Sequence, residues 1–169
     1  FRRVLFRSTD DVLAVWAAVP RAVPNSSVIL KCKGWFEGPK LQARFLERLG
    51  VEPERIVFDV KDRPLAEHLA LYNDVDISLD PFPFTGSTTT FEALWMGVPV
   101  VTLLGENMVG RWTASMLRVL GLYDLAAKDP ADYVRIASAL AADLPRLASI
   151  RAAMRDRIVV SRSEEHTAE

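Results

Sequence analysis

The sequence has little cysteine, little histidine, no excess of charge of either sign and no long apolar run. A single cysteine, Cys32, excludes an intrachain disulfide framework and a cysteine-rich zinc site. The 169 residues carry 21 Lys and Arg against 22 Asp and Glu, a net charge of −1 that argues against an electrostatic nucleic-acid binder. No apolar run approaches the roughly 20 residues of a membrane span. We expect a globular, cytoplasmic protein with no nucleic-acid or membrane partner.

The two ends of the chain differ from the rest of the sequence. The start, FRRVLFRS, is cationic but has neither the apolar core nor the cleavage site of a secretory signal. The run RSEEHT near the end is what a common sequencing adapter encodes when it is read through, and FRS at the start fits another adapter. We therefore expect residues 1–8 and 161–169 to be adapter scars, and residues 9–160 to form one domain that is an internal piece of a longer protein.

Between these ends, short apolar runs alternate with helical patterns. The apolar runs predict four strands, at 27–32, 55–58, 76–79 and 99–103. Apolar residues at helical spacing predict seven helices. The first begins at Thr9 and is closed by Pro20 and Pro24, and the others lie at 39–49, 64–72, 87–96, 111–120, 130–143 and 145–159. This alternation predicts an α/β fold, a Rossmann-like doubly wound parallel sheet with helices on both faces. Such folds bind ligands outside the carboxyl ends of their strands.

The loop after the third predicted strand is the segment richest in chemical signals. Gly86 is followed by Ser87, Thr88 and Thr89 where a helix should begin. Consecutive threonines suit a helix N-terminus better than a helix interior. Hydroxyls, free backbone N–H groups and a preceding glycine together form a ready anion site. The same pattern is also found where hydroxyls only cap the helix, so the residues alone leave both interpretations open.

Residues 76–103, DISLDPFPFTGSTTTFEALWMGVPVVTL, resemble the carboxyl-terminal catalytic half of the protein O-GlcNAc transferase family, glycosyltransferase family 41, including its Spindly-type O-fucosyltransferase relatives. The likeness extends from about Thr9 to about Ile158. It implies the GT-B fold, two Rossmann-like domains with a cleft between them, of which this chain is the second, donor-binding domain. The implied reaction is inverting transfer of N-acetylglucosamine from UDP-N-acetylglucosamine to Ser/Thr hydroxyls of proteins, without a metal or other cofactor.

The resemblance also implies which residues hold the donor phosphates. Ser87, Thr88 and Thr89, with Gly86 and the local backbone amides, occupy the phosphate positions, and Ser87 stands where animal members have histidine. Arg111 begins a helix that lies near the donor in the family, which makes it a candidate for a phosphate or hydroxyl contact.

Other positions match the family's nucleoside site. Glu92 corresponds to an acidic residue on the ribose, and His68 to a histidine close to the nucleotide. Arg63 and Pro64 lie where backbone atoms meet the base. Leu71 stands where animal members have an arginine near the base, so the identity of the base, uridine or guanosine, stays open.

Part of the family's machinery is expected outside this chain. A phosphate-binding lysine, the first Rossmann domain and tetratricopeptide repeats would precede it, so we assign no catalytic residue and expect the isolated chain to be inactive. Three alternatives remain: a GDP-fucose-dependent protein O-fucosyltransferase, a nucleotide-sugar epimerase of the same architecture, and a non-catalytic nucleotide-binding or scaffold module.

Overall fold

The computed structural model describes residues 9–31 and 38–164, with side chains as far as residue 161; Cys32 lies outside the described residues. The helices in these ranges are α1 (Asp10–Ala22), α2 (Pro39–Leu49), α3 (Leu65–Ala70), α4 (Thr88–Trp95), α5 (Trp112–Val119), α6 (Pro130–Ala142) and α7 (Leu144–Glu164). The strands are β1 (Val28–Lys31), β2 (Ile56–Asp59), β3 (Ser78–Leu79), β4 (Val100–Leu103) and β5 (Ala126–Ala127).

Local signals account for most helix ends. The predicted bounds of α2 are confirmed: Pro39 occupies its first turn, and Gly50 ends it in the left-handed conformation at φ 55°. Helix α1 ends at Ala22, between the two prolines that were predicted to close it: it continues past Pro20, which is buried inside the helix, and stops before Pro24. Arg55 stabilises this extension, since its guanidinium donates to the Pro20 carbonyl oxygen at 2.7 Å. Helix α7 likewise continues beyond its predicted end at residue 159.

All strand pairs in the described residues are parallel, but they fall into two groups. Strands β1 and β2 pair with each other, and β3, β4 and β5 pair in that order. The α/β class with parallel strands is confirmed, whereas hydrogen-bonded pairing in the described part of the chain does not form the single continuous sheet that alternation predicted. The outer strands of the second group, β3 and β5, each pair with β4 through only two residues.

The core surrounds the central strand β4. Val100, Val101 and Thr102 are all buried, although successive side chains of a strand point to opposite faces. Both faces of β4 are therefore covered, as expected for a parallel strand between helices. A second buried cluster lies among α1, α2, β1 and β2, and Trp16 of α1 packs against both clusters. In the described ranges, no helix has the length and apolar character needed to cross a membrane.

Candidate functional site

The loops that leave the carboxyl ends of β3 and β4 pack against each other. The backbone N–H and the hydroxyl of Thr85 both donate to the Val109 carbonyl oxygen, at 3.1 Å and 2.7 Å. The ring of Phe84 meets Trp112 edge to face, with the ring centroids 5.6 Å apart. The β3–α4 loop is therefore supported by the β4–α5 loop and by the start of α5.

Gly86 lies in a tight network within the β3–α4 loop. Asp80, which is only 3% exposed, accepts the Gly86 N–H at 2.8 Å on one oxygen and the Thr102 hydroxyl at 2.7 Å on the other. The Thr113 hydroxyl lies 3.4 Å from the Gly86 carbonyl oxygen and donates to it. A Cβ on Gly86 would lie 3.0 Å from both the Asp80 Oδ1 and the Thr89 Oγ1 atoms, so a side chain cannot be placed there without displacing them. Because Asp80 uses the Gly86 N–H, glycine is required here for close packing and not as a free donor.

The predicted hydroxyl cluster lies at the start of α4, but its side chains do not cap the helix. Ser87 occupies the N-cap position without a side-chain capping hydrogen bond. Thr88 and Thr89 are exposed, and their hydroxyls form no hydrogen bond among the residues that the structure describes. Only Thr90 turns inward, where its hydroxyl lies 3.1 Å from that of Thr113. The first N–H groups of any helix lack an intrahelical acceptor, so donors and hydroxyls are exposed together at this point.

Helix α3 brings His68 into contact with Glu92; the resemblance places both residues near the nucleoside, and that role stays a prediction. The His68 Nε2 atom lies 2.9 Å from the Glu92 Oε2 atom and, because an ionised carboxylate can only accept, the ring nitrogen donates. Tyr72 packs edge-on against His68 and donates to the Thr89 carbonyl oxygen at 3.4 Å. Burial, followed by the nearby charge of Glu92, raises the pKa of Tyr72 to about 12. The sequence did not single out Tyr72, which contacts both His68 and the backbone of the hydroxyl cluster.

The Arg63 side chain is bound within the protein. Its Nη1 atom donates to both carboxylate oxygens of Asp59, at 2.7 Å and 2.5 Å, and Lys31 lies 3.6 Å from the same carboxylate. The hydrogen bond from Arg63 lowers the pKa of Asp59 below its usual value, with further help from the charges of Arg63 and Lys31. Pro64 is exposed and precedes α3, where its carbonyl oxygen accepts the His68 N–H at 2.9 Å. The Arg63 side chain is therefore engaged by Asp59, and the contact of the Arg63–Pro64 backbone with a base stays a prediction.

Arg111 lies at the same edge but does not join the cluster. It immediately precedes α5, whose first residues Trp112 and Thr113 contact Phe84 and Gly86. Its side chain is exposed and forms no ion pair within the described part of the chain. Its proposed contact with the donor therefore depends on position alone. In residues 9–31 and 38–164, no three His, Cys, Asp or Glu side chains are grouped so that they could hold a metal ion.

Parallel strands between helices, with hydroxyls and helix N–H groups beyond their carboxyl ends, define an α/β domain with a candidate anion site. The chain belongs to glycosyl transferase family 41, whose family model matches residues 3–166. This confirms the family that the sequence resembled.

The chain is similar to several curated proteins of this family. It is 40% identical over 155 residues to a probable UDP-N-acetylglucosamine–peptide N-acetylglucosaminyltransferase SPINDLY of Petunia hybrida, covering 90% of this chain and 16% of that protein. It is 31% identical to the UDP-N-acetylglucosamine–peptide N-acetylglucosaminyltransferase of Caenorhabditis elegans, covering 88% of this chain and 13% of the relative. The chain thus spans about one sixth or less of the length of these relatives.

A solved structure supports the same relationship. A mutant O-GlcNAc transferase of Thermobaculum terrenum aligns with a TM-score of 0.83 and 40% identity, over 89% of this chain and 29% of that chain. The agreement confirms the fold at the level of the whole domain.

Proposed function

We propose that this chain is the donor-binding domain of an inverting protein O-glycosyltransferase that transfers N-acetylglucosamine from UDP-N-acetylglucosamine to Ser/Thr hydroxyls. Membership of family 41 and the names of the relatives support the reaction class and the donor. The observation that carries the proposal is the uncapped start of α4, where Ser87 forms no capping bond and Thr88 and Thr89 are exposed. Hydroxyls that served only as caps would be bonded to the helix.

In this proposal, the start of α4 binds the diphosphate of the donor. The acceptor oxygen attacks the anomeric carbon and the bond from that carbon to the diphosphate oxygen breaks, so negative charge grows on the departing UDP. Ser87, Thr88, Thr89 and the first N–H groups of α4 stabilise this charge, because they are already oriented and need no rearrangement. The helix dipole adds about 0.3–1 kcal/mol at an exposed helix end. Gly86 allows the phosphates to approach closely, and Arg111 is proposed to contact a phosphate or a hydroxyl.

The nucleoside is proposed to bind beside α3. A carboxylate has about four lone-pair sites, so Glu92 can accept ribose hydroxyls while it also accepts from His68. The hydrogen bond to Glu92 fixes the orientation of the His68 ring. The backbone of Arg63 and Pro64 would then meet the base.

The proposal assigns the remaining machinery to other parts of a longer protein. The family resemblance implies a first Rossmann-like domain and tetratricopeptide repeats, and a longer protein has room for them, since the chain spans only 16% of the Petunia relative. Transfer needs both walls of the cleft to position the acceptor. We therefore expect the purified chain to bind a nucleoside diphosphate weakly and to transfer no sugar. Sugar transfer by this chain alone would contradict that expectation.

Isothermal titration of the purified chain with UDP and GDP tests the proposal. We expect UDP to bind, and the double variant Thr88→Ala/Thr89→Ala to bind at least about tenfold more weakly, equivalent to the loss of about 1.4 kcal/mol. Its melting temperature should match that of the wild type, because neither hydroxyl caps the helix. Ser115→Ala, which removes an exposed hydroxyl from α5, is the matched control and should change neither quantity.

Each other outcome points to a different function. If the double variant loses stability by about 1 kcal/mol per hydroxyl but keeps its affinity, the residues are only caps. Tighter binding of GDP than of UDP would favour a GDP-fucose-dependent O-fucosyltransferase. The absence of heat with both nucleotides would favour a scaffold module and refute the proposal.

A further inference from the structure

The backbone of Gly86 is held at both its N–H and its carbonyl oxygen by residues that lie outside the predicted site. On one side Asp80 accepts the Gly86 N–H at 2.8 Å, and on the other Thr113 donates to the Gly86 carbonyl oxygen at 3.4 Å. Asp80 follows β3, whereas Thr113 belongs to α5, so two different elements fix the two peptide groups that flank the Gly86 Cα atom. Gly86 immediately precedes Ser87, the first residue of the hydroxyl cluster.

Asp80 is itself held in place by the core. Its carboxylate is 3% exposed and also accepts the Thr102 hydroxyl of β4 at 2.7 Å. Its backbone carbonyl oxygen accepts the hydroxyl of Tyr133, a fully buried residue of α6, at 3.0 Å. A buried carboxylate is costly unless it is hydrogen-bonded, and bonds from a backbone N–H to a charged acceptor are among the stronger ones. The position of Gly86 is therefore coupled to β4 and α6.

Thr113 connects Gly86 to the first turn of α4. Its hydroxyl lies 3.1 Å from that of Thr90, and all of these atoms are buried. Thr90 therefore packs inward and binds α5 through Thr113, while Thr88 and Thr89 are exposed in the same turn.

We propose that Asp80 and Thr113 are positioning residues, which fix the backbone of Gly86 on both sides of its Cα atom and so set the direction of the Ser87–Thr89 hydroxyls before a ligand binds. The identity of the ligand as a nucleoside diphosphate rests on the proposed function. The positioning itself is a property of the unliganded chain. Binding to a site that is already ordered avoids the entropy cost of ordering a loop, so loosening Gly86 should weaken diphosphate binding without any direct contact being lost.

Amide hydrogen exchange of Gly86, followed by NMR in the unliganded 169-residue chain, tests the positioning. We expect Asp80→Ala to speed Gly86 exchange by about tenfold or more relative to core amides, and Asp80→Asn, which keeps an acceptor oxygen, to restore most of the protection. Thr113→Val keeps the shape of the side chain and serves if Asp80→Ala fails to fold; it should also speed Gly86 exchange. Thr85→Val is the control, because the Thr85 N–H keeps its own bond to Val109.

UDP titration of the same variants tests the consequence for binding. We expect Asp80→Ala and Thr113→Val to raise the UDP dissociation constant by about tenfold, while Asp80→Asn stays close to the wild type. Unchanged Gly86 exchange in folded Thr113→Val and Asp80→Ala, or an equal change in Thr85→Val, would overturn the inference. Faster Gly86 exchange with an unchanged UDP dissociation constant would show that the positioning of Gly86 does not affect ligand binding. If the wild type binds neither UDP nor GDP while Gly86 exchange responds as expected, the positioning is upheld and the proposed function fails.

Discussion

Replacing Gly86 with alanine is the sharpest test of the packing around the candidate site. The new Cβ would lie 3.0 Å from the Asp80 Oδ1 and Thr89 Oγ1 atoms, and the Thr90 hydroxyl lies closer still. The Thr89 side chain is exposed and can move aside, but Asp80 and Thr90 cannot, because Asp80 is bonded to the core and Thr90 to α5. We therefore expect Gly86→Ala to destabilise the chain strongly.

The magnitude follows from two contributions. Adding a methyl group to a well-packed site costs about 1–3 kcal/mol. Displacing Asp80 would also weaken its bond to the Gly86 N–H, and a buried donor left without an acceptor costs about 1–3 kcal/mol. Movement of Asp80 away from the new methyl group would reduce the crowding but weaken the hydrogen bond, so the two costs do not add in full. We therefore expect a total of about 2–4 kcal/mol.

Urea unfolding followed by circular dichroism measures this cost, with Gly38→Ala as the matched control. Gly38 precedes α2 at φ −83°, and an added Cβ would have no heavy atom within 4 Å, so its replacement should cost at most about 1 kcal/mol. Thr90→Ala removes the nearest obstacle, so the double variant Gly86→Ala/Thr90→Ala should lose less stability than the two single costs added together. Equal unfolding midpoints for Gly86→Ala and Gly38→Ala would refute the packing argument.

Two further predictions concern buried polar groups. The pKa of Asp59 is lowered by its hydrogen bond from Arg63, so Asp59 stabilises the fold above its ordinary pKa of 3.8, and this contribution is lost as the pH falls through its lower pKa in the folded state. The urea midpoint of Asp59→Asn should consequently fall less steeply in acid than that of the wild type, and superimposable curves would contradict this. Tyr133→Phe leaves the Asp80 carbonyl oxygen without its buried donor and should cost about 1–3 kcal/mol by calorimetry; an unchanged melting temperature would show that the bond contributes nothing.

Local sequence signals accounted for the elements whose ends depend on neighbouring residues. Pro39 and Gly50 bound α2 as predicted, because a proline suits a first helical turn and a glycine suits a left-handed ending. Strand β5 was missed, since it is only Ala126–Ala127 and alanine is a weak strand former. It is identified as a strand only by its hydrogen-bonded pairing with β4.

Part of the candidate site could likewise be predicted from contiguous residues, and part could not. The order of strand, glycine, hydroxyl run and helix is contiguous in the sequence, so the family and the place of Ser87–Thr89 could be predicted. An aspartate directly after a predicted strand was a usable signal for Asp80. By contrast, His68 and Glu92 are 24 positions apart, and Gly86 and Thr113 are 27 apart, so no local pattern relates them.

The sequence by itself determined the α/β class and the family, and it placed the predicted phosphate segment at the start of a helix, because those depend on periodicity and on contiguous residue types. Only the tertiary structure decided that the Ser87 hydroxyl leaves α4 uncapped, that Arg63 is bound to Asp59 and that Asp80 takes the Gly86 N–H. Which donor meets which acceptor depends on how the loops pack at the sheet edge, and that packing is set by residues distant in the chain.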